Sequence, residues 1–133
     1  MFHSIIMPRF TDTDALGHIN NTVFAVWFED ARMPIFKIFH PSLAIDSWPL
    51  IVARVEIDLL AQTYWGREVT INTWVEKVGN SSFHLMHEAW QDDKKVASGK
   101  AILINFDYDK QTSTPIPEHI RGQLFEHSFV EEN

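Results

Sequence analysis

Two hydrophobic rhythms divide the chain. Across residues 22–39 apolar side chains cover most of a helical circumference, in a run too long for a typical strand, and Asn20 and Asn21 precede it with side chains suited to an N-cap. The pattern predicts a largely buried helix. Pro34 should bend or shorten it, because proline has no N–H to give to the carbonyl of Asp30. After a loop containing Pro41, Ser42 and Pro49 the period falls to two. Ile51, Ala53, Val55, Ile57 and Leu59 are apolar while Arg54, Glu56 and Asp58 face the other way, which predicts a half-buried strand over 51–60. Strands over 69–78, 82–90 and 96–108 follow, divided by turns at Gly79-Asn80-Ser81 and Asp92-Asp93. The short connections imply an antiparallel meander.

The ends of the chain complete the outline. Residues 2–10 read as a first strand that Pro8 confines to an edge or a strand end. The last long strand sets small Ala97, Gly99 and Ala101 on one face and Ile102, Ile104 and Phe106 on the other, so something can pack closely on the small face. Pro117 opens a C-terminal helix reaching about residue 125. A strand, a long apolar helix and four further strands satisfy the need of each apolar face for a partner if an antiparallel sheet wraps around a long central helix. The expected class is α+β, in one domain spanning 1–133.

Composition narrows the function classes. Of 133 residues 45% are hydrophobic, with ten Phe and five Trp, which exceeds what one core requires and suggests an apolar pocket or a subunit interface. The absence of cysteine excludes disulfides, thiolate metal sites and cysteine nucleophiles. No apolar run approaches a membrane span and the N-terminus lacks the pattern of a signal peptide, so a soluble, cytoplasmic protein is expected. A net charge of −7 with eleven dispersed Lys and Arg argues against a general nucleic-acid binder, yet leaves a few cations for a small anionic ligand such as coenzyme A.

The candidate chemistry lies between the first strand and the helix, in Asp12-Thr13-Asp14-Ala15-Leu16-Gly17-His18-Ile19-Asn20-Asn21. Asp12 reads as a turn former or cap. Asp14 stands before Gly17, where the chain can turn tightly or approach a ligand, and before a helix start whose unpaired N–H groups carry partial positive charge. A carboxylate beside such donors is a hydrolase arrangement, because the donors answer the charge of a developing oxyanion.

This segment resembles the hotdog-fold acyl-CoA thioesterases of the 4-hydroxybenzoyl-CoA thioesterase type, and especially their bacterial acyl-CoA thioester hydrolase branch. The match continues through Glu29-Asp30-Ala31-Arg32, 52–58, Tyr64-Trp65-Gly66-Arg67-Glu68-Val69, Ala97-Ser98-Gly99 and Pro115-Ile116-Pro117. The resemblance implies that Asp14 attacks the thioester carbonyl or activates water to do so, and that the Asn21 backbone N–H polarises the thioester oxygen. Gly17, His18 and Asn20 would shape the loop and contact substrate. No resident cofactor or metal is implied, since coenzyme A is part of the substrate. The His18-Ile19-Asn20-Asn21 stretch departs from the 4-hydroxybenzoyl enzyme toward the aliphatic branch. A homodimer or homotetramer is implied, because family active sites form between subunits. Glu29 is a reserve carboxylate, for which a solvent or interface position is the preferred assignment.

Other features carry less. The Asp12 segment opens like a calcium loop but has Leu16 and Val23 where oxygen ligands belong. His84 and His87 point to opposite faces of a strand and read as ordinary sheet histidines. Arg54, Lys77, Lys94 and Lys95 could meet coenzyme A phosphates, though solvated surface charge is the simpler role. The rival functions are an enoyl-CoA hydratase or dehydratase on the same scaffold, with His18 and a carboxylate as acid and base, and a non-catalytic acyl-CoA-binding module.

Overall fold

The computed structural model describes residues 1–129; the last four residues of the domain expected over 1–133 lie outside it. The elements are β1 (Phe2–Ile6), α1 (Val23–Ala31), α2 (Met33–Phe39), β2 (Leu50–Leu59), β3 (Val69–Val78), β4 (Ser82–Gln91), β5 (Lys94–Asp107), β6 (Thr112–Ser113) and α3 (Glu118–Phe125). The antiparallel sheet runs in the order β1-β3-β4-β5-β2, with β6 added to β5. Its inner face is covered by the helices, which gives the α+β hotdog arrangement.

The expected meander holds for β3, β4 and β5 and fails for β2. That strand pairs with β5, from Leu50 opposite Asn105 to Leu59 opposite Ala97, and β1 takes the free side of β3. The nine residues between β2 and β3 can reach roughly 30 Å, twice the roughly 14 Å across three strand spacings, so a short loop in sequence is long enough to cross the sheet end. β2 is therefore an edge strand, and its alternation does not bury it. Val52, Val55 and Leu59 are 44%, 47% and 48% exposed, and only Leu50 is buried. The bulge between Val52 and Arg54 also shifts the phase of the alternation at Ala53.

The helix predicted over 22–39 is two helices meeting at Arg32. Pro34 supplies no N–H to Asp30, and the Arg32 N–H turns back to Glu29 and Asp30 while the Arg32 carbonyl takes the N–H groups of Ile35 and Phe36. α1 buries Phe24, Trp27, Phe28 and Ala31 against Val69, Ile71, Ala89, Val96 and Ala97. The small-residue face of β5 is used as expected: a Cβ on Gly99 would stand 2.7 Å from the Phe28 ring, so glycine lets α1 lie flat on the sheet. α2 and α3 close a second cluster with Val75, Phe83, Leu85 and Leu103. β1 stops at Ile6, short of the predicted residue 10 and ahead of Pro8. At the other end of β1, beyond Phe2 opposite Thr73, the segment after α3 takes over, and the Val75 N–H donates to the His127 carbonyl at 2.9 Å.

Candidate active site

The segment between β1 and α1 folds as a narrow hairpin. The Asp14 N–H donates to the His18 carbonyl at 2.7 Å, and the Asn20 N–H donates to the Asp12 carbonyl at 2.8 Å. Gly17 makes the turn with φ of +79°, while a Cβ there would meet nothing within 4 Å. The glycine thus serves the left-handed backbone, where a side chain costs about 1 kcal/mol or more, and no close packing requires it.

The two carboxylates of the hairpin have opposite surroundings. Asp12 is 3% exposed, and its oxygens accept the Arg9 backbone N–H at 2.8 Å and the Arg9 Nη2 at 3.0 Å. Burial pushes its pKa up, but these Arg9 contacts outweigh burial and hold it below the usual carboxylate range. Asp12 is a structural residue, in keeping with its reading as a turn former. Asp14 is exposed, and only one of its oxygens is engaged: Oδ1 accepts the Leu16 N–H at 2.8 Å and the His18 N–H at 3.1 Å. Oδ2 has no partner among the described residues. The carboxylate is thus aimed by two backbone donors and keeps one oxygen free.

Across the hairpin mouth the chain enters α1. Asn20 Oδ1 accepts both the N–H and the hydroxyl of Thr22, at 3.0 and 2.8 Å, and the Val23 N–H goes to the Asn20 carbonyl. The Asn21 N–H, between them, is without an acceptor among the described residues. It is an unused donor at the entrance to the helix, where the backbone dipoles favour negative charge. Asn20 spends its side-chain oxygen on this turn, which leaves its amide nitrogen for any contact with substrate. His18 is half-buried and lies edge-on to Tyr64, with ring centroids 5.3 Å apart.

One residue that supports this site carried no signal in the sequence. Buried Gln91 closes β4 and grips the 63–67 loop: its Oε1 accepts the Tyr64 N–H at 2.8 Å, and its Nε2 donates to the carbonyls of Tyr64 at 2.8 Å and Arg67 at 3.2 Å. That loop receives the hairpin through the Ile19 N–H, which donates to the Thr63 carbonyl at 2.8 Å, and through the bridge between His18 and Tyr64. Glu29, the reserve carboxylate, is exposed on the outer face of α1. Among the cations, Arg54 pairs with Glu56 and Lys95 with Glu88, whereas Lys77 and Lys94 meet no carboxylate among the described residues. Among those residues, no group of three or more His, Asp or Glu is placed to hold a metal ion, and no helix is long and apolar enough to cross a membrane.

Comparison with known proteins gives the family. Residues 8–124 match the family model described as the thioesterase-like superfamily. A predicted thioesterase from Bacillus stearothermophilus is 40% identical, with a TM-score of 0.94 over 98% of both chains. A thioesterase from Thermus thermophilus, solved with coenzyme A and Zn, is 30% identical, with a TM-score of 0.82 over 92% of this chain and 95% of that one. The uncharacterized protein YsmA of Bacillus subtilis (strain 168) is 31% identical over 84 residues, which make up 63% of this chain and 57% of that protein. With the model match spanning the hairpin, both cores and most of α3, the chain belongs to the thioesterase-like superfamily.

Proposed function

We propose that this protein hydrolyses acyl-coenzyme A thioesters, releasing a free carboxylic acid and coenzyme A, and that it prefers aliphatic acyl groups. The observation that carries this is the pairing, across one hairpin, of an Asp14 carboxylate with a free Oδ2 and an Asn21 N–H with no acceptor among the described residues. Asp14 Oδ2 attacks the thioester carbonyl carbon or takes a proton from the water that does. The C–S bond then breaks and the thiolate leaves and is protonated; in the first route water then hydrolyses the acyl–Asp14 anhydride, and in the second the attacking water has already supplied the acid's oxygen. The Asn21 N–H and the helix entrance stabilise the oxyanion formed on the way. The family match and the coenzyme A-bound relative support the substrate class, and the His18-Ile19-Asn20-Asn21 stretch supports the aliphatic preference. A cleft of about 320 Å³ lined by Leu60, Ala61, Tyr64, Gln91 and Lys94 adjoins His18 through Tyr64 and offers an approach for the ligand.

The functional unit is a homodimer or homotetramer acting in the cytoplasm. Its support is the bare β2 edge, whose ten residues leave backbone donors and acceptors and the side chains of Val52, Val55 and Leu59 uncovered, a combination that soluble proteins normally cover. Light scattering should return two or four times the chain mass; a monomer at working concentration contradicts this part. Thiol release across saturated acyl-CoA substrates of increasing length, with benzoyl-CoA and crotonyl-CoA beside them, tests the function. Faster release from the saturated series is expected. Faster release from benzoyl-CoA overturns the aliphatic preference, hydration of crotonyl-CoA without thiol release favours the hydratase, and saturable binding without turnover favours the binding module.

A further inference from the structure

Arg32 follows Glu29, Asp30 and Ala31 at the end of α1 and is 3% exposed, the one cation buried this deeply among the described residues. None of their carboxylates meets its guanidinium. Nη1 donates instead to His87 Nε2 at 3.3 Å, and Nε has no partner among the described residues. His87 is itself 1% exposed, and its Nδ1 shares a 2.8 Å hydrogen bond with the Thr73 hydroxyl. The Phe28 ring lies flat on the imidazole, with centroids 4.9 Å apart and planes 7° from parallel. Burial and the adjacent Arg32 charge lower the His87 pKa to about 3, so the ring is neutral and its Nε2 can accept.

Stability alone does not account for this chain of polar groups. Apolar side chains of similar volume commonly serve as well or better where a charge is buried, so a retained buried cation points to specificity of arrangement. The contacts α1 makes with the sheet through Phe24, Trp27, Phe28 and Ala31 are apolar and non-directional, so the Arg32 hydrogen bond to His87 adds a directional one at the helix end. Arg32 is the joint between α1 and α2 and ties that joint to β3 and β4. The start of the same helix, roughly 16 Å away, carries the Asn21 N–H.

We propose that the Arg32–His87–Thr73 chain is the positioning device that sets where α1 sits along the sheet and, through it, where the Asn21 N–H meets the thioester oxygen. This rests on the function proposed above. Because misplacing a reacting group by about 1 Å costs as much as a hundredfold in rate, a partial shift of α1 should lower kcat about tenfold and change KM less than about twofold. The test compares Arg32→Met/His87→Leu, which removes both polar partners together, with His87→Gln, whose amide can accept from Arg32 and donate to Thr73. In each, kcat and KM are measured, and the Asn21 amide resonance is followed by NMR without substrate. The double variant should lose about tenfold in kcat and shift the Asn21 resonance, and His87→Gln should stay within about twofold of wild type with the resonance in place. A folded double variant with wild-type kcat and an unmoved resonance overturns the proposal. So does a His87→Gln as impaired as the double variant. If the double variant does not fold, Thr73→Val is read in the same way, and a folded Thr73→Val with unchanged kcat and resonance overturns it. Were the wild type to release no thiol, the proposed function would fail, and the Asn21 resonance would still decide whether the chain positions the helix.

Discussion

The two ends of helix α1 are built on opposite principles. At its start, Asp14 is exposed with one oxygen free, and the Asn21 N–H has no acceptor among the described residues, so hydrogen-bonding capacity is left unused. At its end, Arg32 is buried against a neutral His87 that Phe28 covers and Thr73 holds, and a charge is confined where solvent does not reach. The difference separates groups available to a ligand from groups committed to the fold. Within the hairpin the same contrast recurs over two residues: Asp12 has both oxygens engaged by Arg9, and Asp14 has one. Residue type cannot make that distinction, because both are aspartates in a turn.

Interchanging carboxylate and amide at each position sharpens the contrast. Asp14→Asn should lower thiol release by at least about a hundredfold and leave thermal stability nearly unchanged, since an amide oxygen can still accept the Leu16 and His18 N–H groups. Asp12→Asn should do the reverse. Loss of one charged acceptor from a buried site should cost about 1–3 kcal/mol in denaturant unfolding, with turnover falling far less than in Asp14→Asn. If Asp12→Asn proves the more damaging to turnover, the assignment of the two carboxylates is wrong.

The most gradual effect is a pH dependence from the buried end. His87 in the folded chain has its pKa at about 3, below the 6.5 of an ordinary histidine, so between these values the unfolded chain binds the additional proton. Folding stability should therefore fall as pH is lowered from 6.5 toward 3, with His87 contributing a slope of up to about 1.4 kcal/mol per pH unit. His87→Gln should flatten this window in thermal melts collected across it. An unchanged slope would show that His87 is not held neutral in the fold.

Much of this was legible in the sequence, for local reasons. The strand over 69–78 is legible at its full length because one of its faces is buried and the other partly exposed, as its alternation suggests, and the break in the helix follows from the missing N–H of Pro34. Asp14 and Gly17 stood out because turn chemistry is local. The placement of β2 is not legible because alternation reports which side chains share a face and says nothing about the neighbouring strand; the crossing from β2 to β3 depends on pairing between Leu50–Leu59 and the distant residues from Asn105 back to Ala97. The same limit hid Gln91 and His87. Gln91 acts on a loop 27 residues earlier in the chain, and His87 meets an arginine 55 residues before it. Each side chain is ordinary until the sheet is assembled.

The most direct test of acyl-CoA hydrolysis at Asp14 is to quantify free thiol and free acid from a saturated acyl-CoA, with the wild-type chain and a folded Asp14→Asn in parallel. Equal amounts of thiol and acid from the wild type, and at least about a hundredfold less of both from the variant, are the predicted result. No thiol from any acyl-CoA with the wild type, or full release by the variant, would contradict it.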